Sequence, residues 1–585
     1  MGVRGVRRVA LLVVGVVVGS TCAAVNGAPP ALVSSSTPAV VTQSLSFATS
    51  SGVVLHATVG GYGSLAGRPL IVEDSPYSPD VRSLAWVGQD FNFLELQWRG
   101  TGLSQGSLDA AGPLDQSDLS QFLGWACNQP WSNGRLGLYG FSASAVVAYN
   151  AMHLPLPCVK AAALMAGTTD LYRDLLYIGG VLNSAAGAVV EATIGGTTLT
   201  GGATRVGTDP GSVPASAAGF FSTPIDVLGH PTEDGYWDQR AFQGDASHVP
   251  VLADTSFYDV EPSGPFAAFE ATRRYGSHLL VCGAHDGFPT GTPGPFPQYL
   301  NWFEHYLVGQ PLTPANQAVV SVCVGNGSRE QFLAGDLTRV TAPGWPLAGT
   351  QWSSLYLSAA STGSVRSLND GSLALQTPAG QVNQPYPFAP SPATETDLHN
   401  IATVAGSGLD QAAGMAPAIT DMQLSDPTSL TYTSPPLTKA LTAVGPGSVD
   451  VFMSSSQPVT DIYAVIADVW PNGTAYPVAT GALRTAFPNV DAARSLVDAK
   501  GDIVDPFNLY SSQTPAPLGA TREYHVEILP MGNTFAVGHR LRLYVLGTPF
   551  DQMPAPPGID IVSLGGGTAS RLLLPSLNGA PAFGS

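Results

Sequence analysis

Along residues 45–312, short apolar runs alternate with amphipathic segments. The runs at 69–72, 93–97, 135–139, 161–165, 249–253 and 278–282 are bounded by turn residues and read as strands. The segments at 115–126, 143–152, 264–275 and 296–307 read as helices between them. Such alternation predicts a parallel sheet with helices on its faces. From 170 to 243 the alternation stops. There Leu171, Leu175 and Ile178 keep helical spacing, and Tyr172, Tyr177, Phe220, Phe221, Tyr236 and Trp237 argue against a plain surface loop. A long insertion between two strands predicts a helical cap over a site. After residue 313 the texture changes to strand-length alternating runs separated by turn clusters, among them 319–324, 354–357, 430–433, 448–453, 462–469, 524–529 and 540–546. These predict an antiparallel β-sandwich of the jelly-roll kind over 313–585.

Composition narrows the function classes. The 585 residues hold 24 Lys+Arg against 42 Asp+Glu, a formal charge of -18. Such a chain repels phosphate backbones and offers no basic membrane patch, so neither nucleic acid nor a membrane is an expected partner. Hydrophobic residues make up 44%, enough for a large core.

At the N-terminus Arg4, Arg7 and Arg8 precede an apolar stretch at 9–18, then Gly19, Ser20, Thr21, Cys22, Ala23 and Ala24. This reads as a secretory signal peptide over 1–24, followed by a flexible leader over 25–44, and so as a secreted bacterial protein. The apolar run is short for a retained anchor, and Thr21 fits a lipidation signal at Cys22 poorly. Loss of the three arginines would take the charge from -18 to -21. Cys127, Cys158, Cys282 and Cys323 remain. A Cys127–Cys158 bridge is one reading and free buried thiols the other. None of the four has metal-type spacing, and no metal or other cofactor is expected.

The strongest local signal is Gly134-Arg-Leu-Gly-Leu-Tyr-Gly-Phe-Ser142-Ala-Ser-Ala. An apolar strand runs into Gly140, Ser142 takes the turn, and a small-residue helix follows at once, the context of a nucleophile elbow. Ser144 stands where the G-x-S-x-G pattern has its last glycine. A serine hydroxyl needs a base, and the base an orienting carboxylate. Two later strand-plus-loop units supply them in the order an α/β-hydrolase requires: Asp259, 117 residues after Ser142, and His285, 26 residues further on. His248 and His278 precede their strands rather than follow them, Asp254 ends its strand too early to reach over the sheet edge, and Asp286 reads as a turn residue.

At these residues the chain resembles the cocaine esterase / X-Pro dipeptidyl-peptidase (CocE/NonD) family of serine hydrolases, which includes α-amino acid ester hydrolases and glutaryl acylases. The resemblance runs through Asp74-Ser-Pro-Tyr77, Gln97-Trp-Arg-Gly-Thr-Gly-Leu-Ser-Gln-Gly106, Gln129-Pro-Trp-Ser-Asn-Gly134, Asp170-Leu-Tyr-Arg-Asp174, Phe257-Tyr-Asp259 and Gly283-Ala-His285. It continues in Leu430-Thr-Tyr-Thr-Ser-Pro-Pro-Leu437 and Gly538-His-Arg-Leu-Arg-Leu543. It implies an α/β-hydrolase domain with an inserted cap, followed by a jelly roll. It also implies Ser142 as nucleophile, His285 as base, Asp259 as its orienter, and an oxyanion hole from Tyr77 and the Ala143 N–H. Ala143 and Ser144 replace the family's usual Tyr and Gly.

The expected activity is metal-independent hydrolysis of acyl esters or amides through an acyl-enzyme. Trp86, Tyr172, Trp237, Phe257 and Phe288 are the candidate walls of the substrate pocket. The alternative is an X-Pro dipeptidyl peptidase, whose substrate amine Asp170, Asp174, Glu233, Asp234 or Glu261 would hold. A third reading is a non-catalytic wall- or glycan-binding protein with a degenerate hydrolase unit. The expected partner is a small ester, amide or peptide substrate, and homo-oligomerisation is left open.

Overall fold

The computed structural model describes residues 38–77, 83–184, 186–187, 194–259, 262–285, 287–292, 294–388, 421–548 and 553–584. The signal-peptide reading, Glu261 and Asp286 lie outside them. From Val40 onward the described chain forms one compact unit.

Its first part is built on ten strands: β1 (Val40–Ala48), β2 (Val54–Tyr62), β3 (Arg68–Ser75), β4 (Asn92–Gln97), β5 (Ser132–Phe141), β6 (Val159–Met165), β7 (Val251–Thr255), β8 (His278–Val281), β9 (Val320–Gly325) and β10 (Leu337–Ala342). They lie side by side in the order β1-β2-β4-β3-β5-β6-β7-β8-β9-β10, and the run from β4 to β9 is parallel. The inner strands β4, β6 and β7 are buried on both faces, as parallel strands under helices must be, and so read as apolar runs rather than alternations. Pro113–Ala126, Ala143–Ala151, Gly264–Thr272 and Phe296–Phe303 are the helices expected between them.

Two boundaries differ from the sequence reading. The leader expected over 25–44 ends earlier, because Val40 to Ser44 already pair with Tyr62 to Thr58 as part of β1. The run at 319–324, assigned by its alternation to the sandwich, is the last parallel strand of the α/β sheet, with Leu279–Val281 opposite Val320–Val322. Periodicity alone does not say which sheet a strand joins. Gly325, at the end of β9, bridges to Asn533 and so links the two halves.

In the second half, Leu441–Ser455 pairs with Arg522–Phe535, Gly558–Leu564 and Arg571–Ser576. A second layer runs Asn369–Ala374, Leu430–Thr433, Arg540–Leu546, Asp461–Val469 and Ala475–Arg484. Val449, Val451 and Val526 from one layer and Ile462, Ile466 and Leu543 from the other share one core. The expected β-sandwich is therefore observed, antiparallel except where Asn369–Ala374 meets Leu430–Thr433.

The segment between β6 and β7 contains the helices Gly196–Arg205, Val213–Gly229 and Gly235–Asp238, preceded by a short hairpin of Tyr177–Ile178 against Val181–Leu182. It is held down by Arg205, a buried cation that donates to the carbonyls of Gly102 and Ser104 and to Ser216 Oγ. Gly201 lies so close to Gly102 that a Cβ there would overlap its carbonyl oxygen. A second contact reaches the β3 loop, where Thr197 Oγ1 is 2.6 Å from the Pro76 carbonyl.

Candidate active site

Parallel α/β sheets place their chemistry at the carboxyl ends of the strands, where successive connections leave in opposite directions. Here β4 and β5 lie on opposite sides of β3. The loops after β3, β5, β7 and β8 carry Tyr77, Ser142, Asp259 and His285.

Ser142 has φ 55 and ψ -125, a conformation a non-glycine residue adopts only under constraint. Such a residue costs about 1–3 kcal/mol and persists only where its surroundings hold it. They do so here in two ways. The Ser142 N–H donates to the Met165 carbonyl at 2.9 Å, and the Ser142 carbonyl accepts from Ala145 at 2.8 Å and Val146 at 3.1 Å. Glycines then make room for the turn: a Cβ on Gly140 would lie 2.7 Å from Ala145 backbone, and one on Gly167 2.6 Å from Ala145 Cβ and 3.0 Å from the Ser142 carbonyl. The motif marks Gly140; Gly167, on the next strand's loop, has no local signature. Ser144 is fully buried in the place of the usual glycine, and its Oγ has no hydrogen-bond partner among the described residues.

His285 occupies the tip of a tight turn closed by Ala284 and Gly287, with the Ala284 N–H donating to the Gly287 carbonyl at 2.8 Å. Its Nδ1 is 2.9 Å from Oδ1 of the buried Asp259. Ser256 ties the two loops together, since its hydroxyl donates to the Gly283 carbonyl and accepts from the Tyr258 N–H. The His285 ring lies 5.1 Å, centroid to centroid, from Phe141, the residue before Ser142. On the other side of the elbow the Ala143 N–H points at the Tyr77 hydroxyl oxygen, 3.4 Å away. All five residues singled out for chemistry thus gather at the same strand ends.

The five candidate wall residues divide. Trp86 and Phe288 are half-buried and belong to one aromatic run, Trp86 stacking on Phe296 at 5.8 Å and Phe288 meeting Phe296 at 6.0 Å. Phe141 packs against the same cluster. Tyr172, Trp237 and Phe257 are packing residues instead, 0%, 2% and 3% exposed, with almost no surface for a ligand. Tyr172 and Trp237 meet edge to face in the core shared by the cap and the β-sandwich, with their polar ends on the Pro231 and His230 carbonyls. Phe257 lies between Phe266, Trp345 and Gly532, where a Cβ would enter its ring. Burying such a ring contributes roughly 1.5–3 kcal/mol. An aromatic next to a catalytic motif looks the same in sequence whether it lines a pocket or fills a core.

The acids considered for amine binding are mostly engaged. Arg173 Nη2 is 2.6 Å from Glu233 and its Nε 3.4 Å from Asp170, while its guanidinium lies 3.7 Å from the Phe507 ring centre. Asp234 caps the helix Gly235–Asp238 and takes a 2.7 Å contact from His230. Asp174 accepts from the Thr168 hydroxyl. Asp505 and Glu527 approach from the β-sandwich, and burial beside the other acids raises the Glu527 carboxyl. Burial likewise pushes Asp170 up to about 6, against the pull of Arg173, and Asp174 up to about 7, with the Asp170 charge adding to it.

The folded chain therefore holds protons that the unfolded chain releases near pH 4, so this stabilisation is complete in acid and is lost as pH rises through 6 to 7. Asp174→Asn, which cannot ionise, is expected to flatten the fall of Tm between pH 5 and about 8. Parallel melting curves of variant and parent across that range would contradict the assignment.

Two disulfides are present. Cys127–Cys158 is the one considered from sequence. Cys282–Cys323 joins β9 to the residue that follows β8, three positions before His285. Neighbouring positions on parallel strands, Val281 and Val322, explain it, and that register is invisible without the sheet. Replacing both Cys282 and Cys323 by Ser is expected to cost about 2–4 kcal/mol of stability, read from the denaturant midpoint. An unchanged midpoint would show the bridge to be dispensable.

Among the described residues one group, Asp450, Glu523 and His525, brings three metal-type ligand atoms within 4.8 Å. Asp450 already faces Arg571 Nε at 2.8 Å and His525 Nδ1 at 2.7 Å, so its charge is taken up without an ion.

Comparison with known proteins agrees with this architecture. Residues 51–286 match the family model for X-Pro dipeptidyl-peptidase (S15 family), and residues 320–570 match that for the X-Pro dipeptidyl-peptidase C-terminal non-catalytic domain. A cocaine esterase from Rhodococcus sp. is 23% identical over 541 residues, covering 83% of this chain and 86% of that protein. A CocE/NonD family hydrolase from Staphylococcus aureus superposes with a TM-score of 0.71 at 18% identity, over 92% of this chain and 94% of that one. An α-amino acid ester hydrolase superposes with a TM-score of 0.69 at 17% identity, over 94% and 98%. Two family models matched in tandem, on an α/β-hydrolase sheet followed by a β-sandwich, place this chain in the CocE/NonD family of serine hydrolases.

Proposed function

We propose that the protein is an exported acylase or esterase in which Ser142, His285 and Asp259 form a catalytic triad. The observation that carries the reading is the constrained Ser142, held at the strand-to-helix turn next to Phe141, whose ring lies 5.1 Å from an imidazole whose Nδ1 is already engaged by a buried carboxylate. With Nδ1–H donated to Asp259, Nε2 is left as the basic nitrogen. In the proposed scheme Nε2 takes the Ser142 proton as Oγ attacks the acyl carbon. The oxygen of the tetrahedral intermediate gathers charge and would accept hydrogen bonds from the Ala143 N–H and the Tyr77 hydroxyl, taking the place of the 3.4 Å contact in which the N–H now points at the phenol oxygen. His285 then returns the proton to the leaving group and activates water for deacylation. The half-buried run Phe141, Phe288, Phe296 and Trp86 offers an apolar, aromatic-rich wall beside the base, which favours an apolar acyl or leaving group. Two disulfides are consistent with an oxidising, extracytoplasmic setting.

A second reading, dipeptidyl-peptidase action, is motivated by Asp170 and Asp174 in the loop after β6, which could face a substrate ammonium. The Arg173 guanidinium already compensates two of the neighbouring acids, and this weighs for the esterase. Parallel assays on p-nitrophenyl acyl esters and Gly-Pro-p-nitroanilide separate the two. Ester hydrolysis without anilide cleavage is expected, and cleavage of the anilide alone would reverse the preference. Covalent labelling of folded protein by a fluorophosphonate, lost in Ser142→Ala, distinguishes either enzyme from a non-catalytic binding module.

A further inference from the structure

Tyr77 has to bring its phenol to the elbow from a loop only two residues beyond β3. The peptide between Pro76 and Tyr77 sets that aim. A peptide unit is a rigid plane, with its carbonyl and its N–H on opposite sides. Here both sides are held. The Tyr77 N–H donates to Ser75 Oγ at 3.2 Å, within the loop itself. The Pro76 carbonyl accepts from Thr197 Oγ1 at 2.6 Å, and Thr197 lies 121 positions away, in the first turn of the cap helix Gly196–Arg205. Proline has no N–H, so this carbonyl is its one main-chain hydrogen-bonding group. A long side chain magnifies any tilt of the plane that carries it, and the phenol oxygen is the far end of that lever.

The hydroxyl sits in a register. Thr197, Gly201 and Arg205 stand four residues apart, on one face of the helix. The Thr197 carbonyl accepts from the Gly102 N–H at 3.4 Å, Gly201 abuts Gly102, and Arg205 donates to the Gly102 and Ser104 carbonyls. Ile194, two residues before the helix, is buried in the same small core that Tyr77, Ala143 and Leu171 pack against. The cap is thus tied to the hydrolase sheet both before and after the hydroxyl that touches Pro76.

A helical threonine commonly turns its hydroxyl back onto the carbonyl three or four residues earlier. That carbonyl belongs to Ile194, 2.7 Å from Thr197 Oγ1. Two carbonyls therefore face one hydroxyl proton. Thr198 Oγ1 stands 3.2 Å from the same Ile194 oxygen and can donate in its place, which leaves the Thr197 proton for Pro76.

We infer that Thr197 is a positioning residue of the oxyanion hole: its hydroxyl fixes the Pro76–Tyr77 peptide from the cap and so holds the Tyr77 phenol where the oxyanion forms. The inference rests on Tyr77 being an oxyanion donor, as proposed above. The cap thereby takes part in the catalytic geometry, because the donor is aimed by a residue of the inserted segment.

The test is a double-mutant cycle on the full chain, with p-nitrophenyl butyrate as the probe. Thr197→Val keeps the branched shape and removes the donor, and Thr197→Ser keeps the donor. A misplacement of about 1 Å can cost roughly 10²-fold in rate, and one restraint lost among several costs less. Thr197→Val is expected to lower kcat about 10-fold with KM within about twofold of the parent, and Thr197→Ser to stay within about threefold of the parental kcat. In a Tyr77→Phe background Thr197→Val should change kcat by less than about twofold, because the hydroxyl it positions is gone. Circular dichroism checks the fold, and Thr197→Ala is a second variant without the donor. An unchanged kcat in Thr197→Val and Thr197→Ala overturns the inference. So does an equal loss in Thr197→Ser, or an additive loss in the double variant, which would route Thr197 through another group. These three outcomes leave the oxyanion role of Tyr77 standing. Parental kcat in Tyr77→Phe alone removes that role, and the inference with it.

Discussion

Ser142→Ala is expected to lower the hydrolysis of p-nitrophenyl esters by roughly 10⁴ to 10⁶-fold, with no loss of folded structure. The size follows from chemistry. Without Oγ there is no acyl-enzyme, and what remains is attack by water on a carbonyl still polarised by the Tyr77 and Ala143 donors. The absence of a folding defect follows from geometry. The strained φ of 55 is held by main-chain bonds to Met165, Ala145 and Val146, none of which involves the hydroxyl. Alanine keeps the same Cβ, so it inherits the strain and the restraints together. The measurement is kcat/KM for parent and variant, with circular dichroism alongside. A variant that keeps a tenth of the parental rate would mean that another residue is the nucleophile.

Tyr77→Phe should lower kcat by about 10² to 10³-fold while KM changes little, equivalent to about 2.7–4 kcal/mol of transition-state stabilisation. The phenol oxygen stands 3.4 Å from the Ala143 nitrogen and accepts its N–H, so both groups are within reach of an oxyanion that would take the place of that contact. The ground-state carbonyl carries little charge and gains little from a second donor, whereas the oxyanion gains much; that asymmetry loads the loss onto kcat. Phenylalanine keeps the ring that packs with Ala143 and Leu171 against the small core of Trp98, Leu108 and Val146, so the fold should not change. A larger KM at constant kcat would assign Tyr77 to substrate binding instead.

The two substitutions probe different kinds of legibility. Ser142 could be singled out from a short stretch, because the turn it occupies is local: a strand, a glycine, a serine and a small-residue helix within a few positions. Asp259 and His285 could be singled out from order and spacing along the chain, since each follows a strand of a parallel sheet, and the fold sets them 2.9 Å apart. Gly167 could not, because its need to be small arises from Ala145 across the β5–β6 junction. The wall residues show the same limit. Trp86 and Phe288 keep a partly open face, while Tyr172, Trp237 and Phe257 are consumed by contacts between the cap, the sheet and the sandwich. Aromatic character is written in the residue, but which of its faces is open depends on elements hundreds of positions away.

From the amino acids alone come the α/β alternation, the change to sandwich texture, the serine turn and the order of its partners, because hydrophobic periodicity and tight turns are short-range properties of a chain. Only the folded molecule decides which strand closes the parallel sheet, which cysteine faces Cys323, which carboxylates are crowded enough to keep their protons, and which cap residue reaches the Pro76 carbonyl. Each of these depends on register and burial between segments distant in sequence, and no local pattern encodes a distance through space.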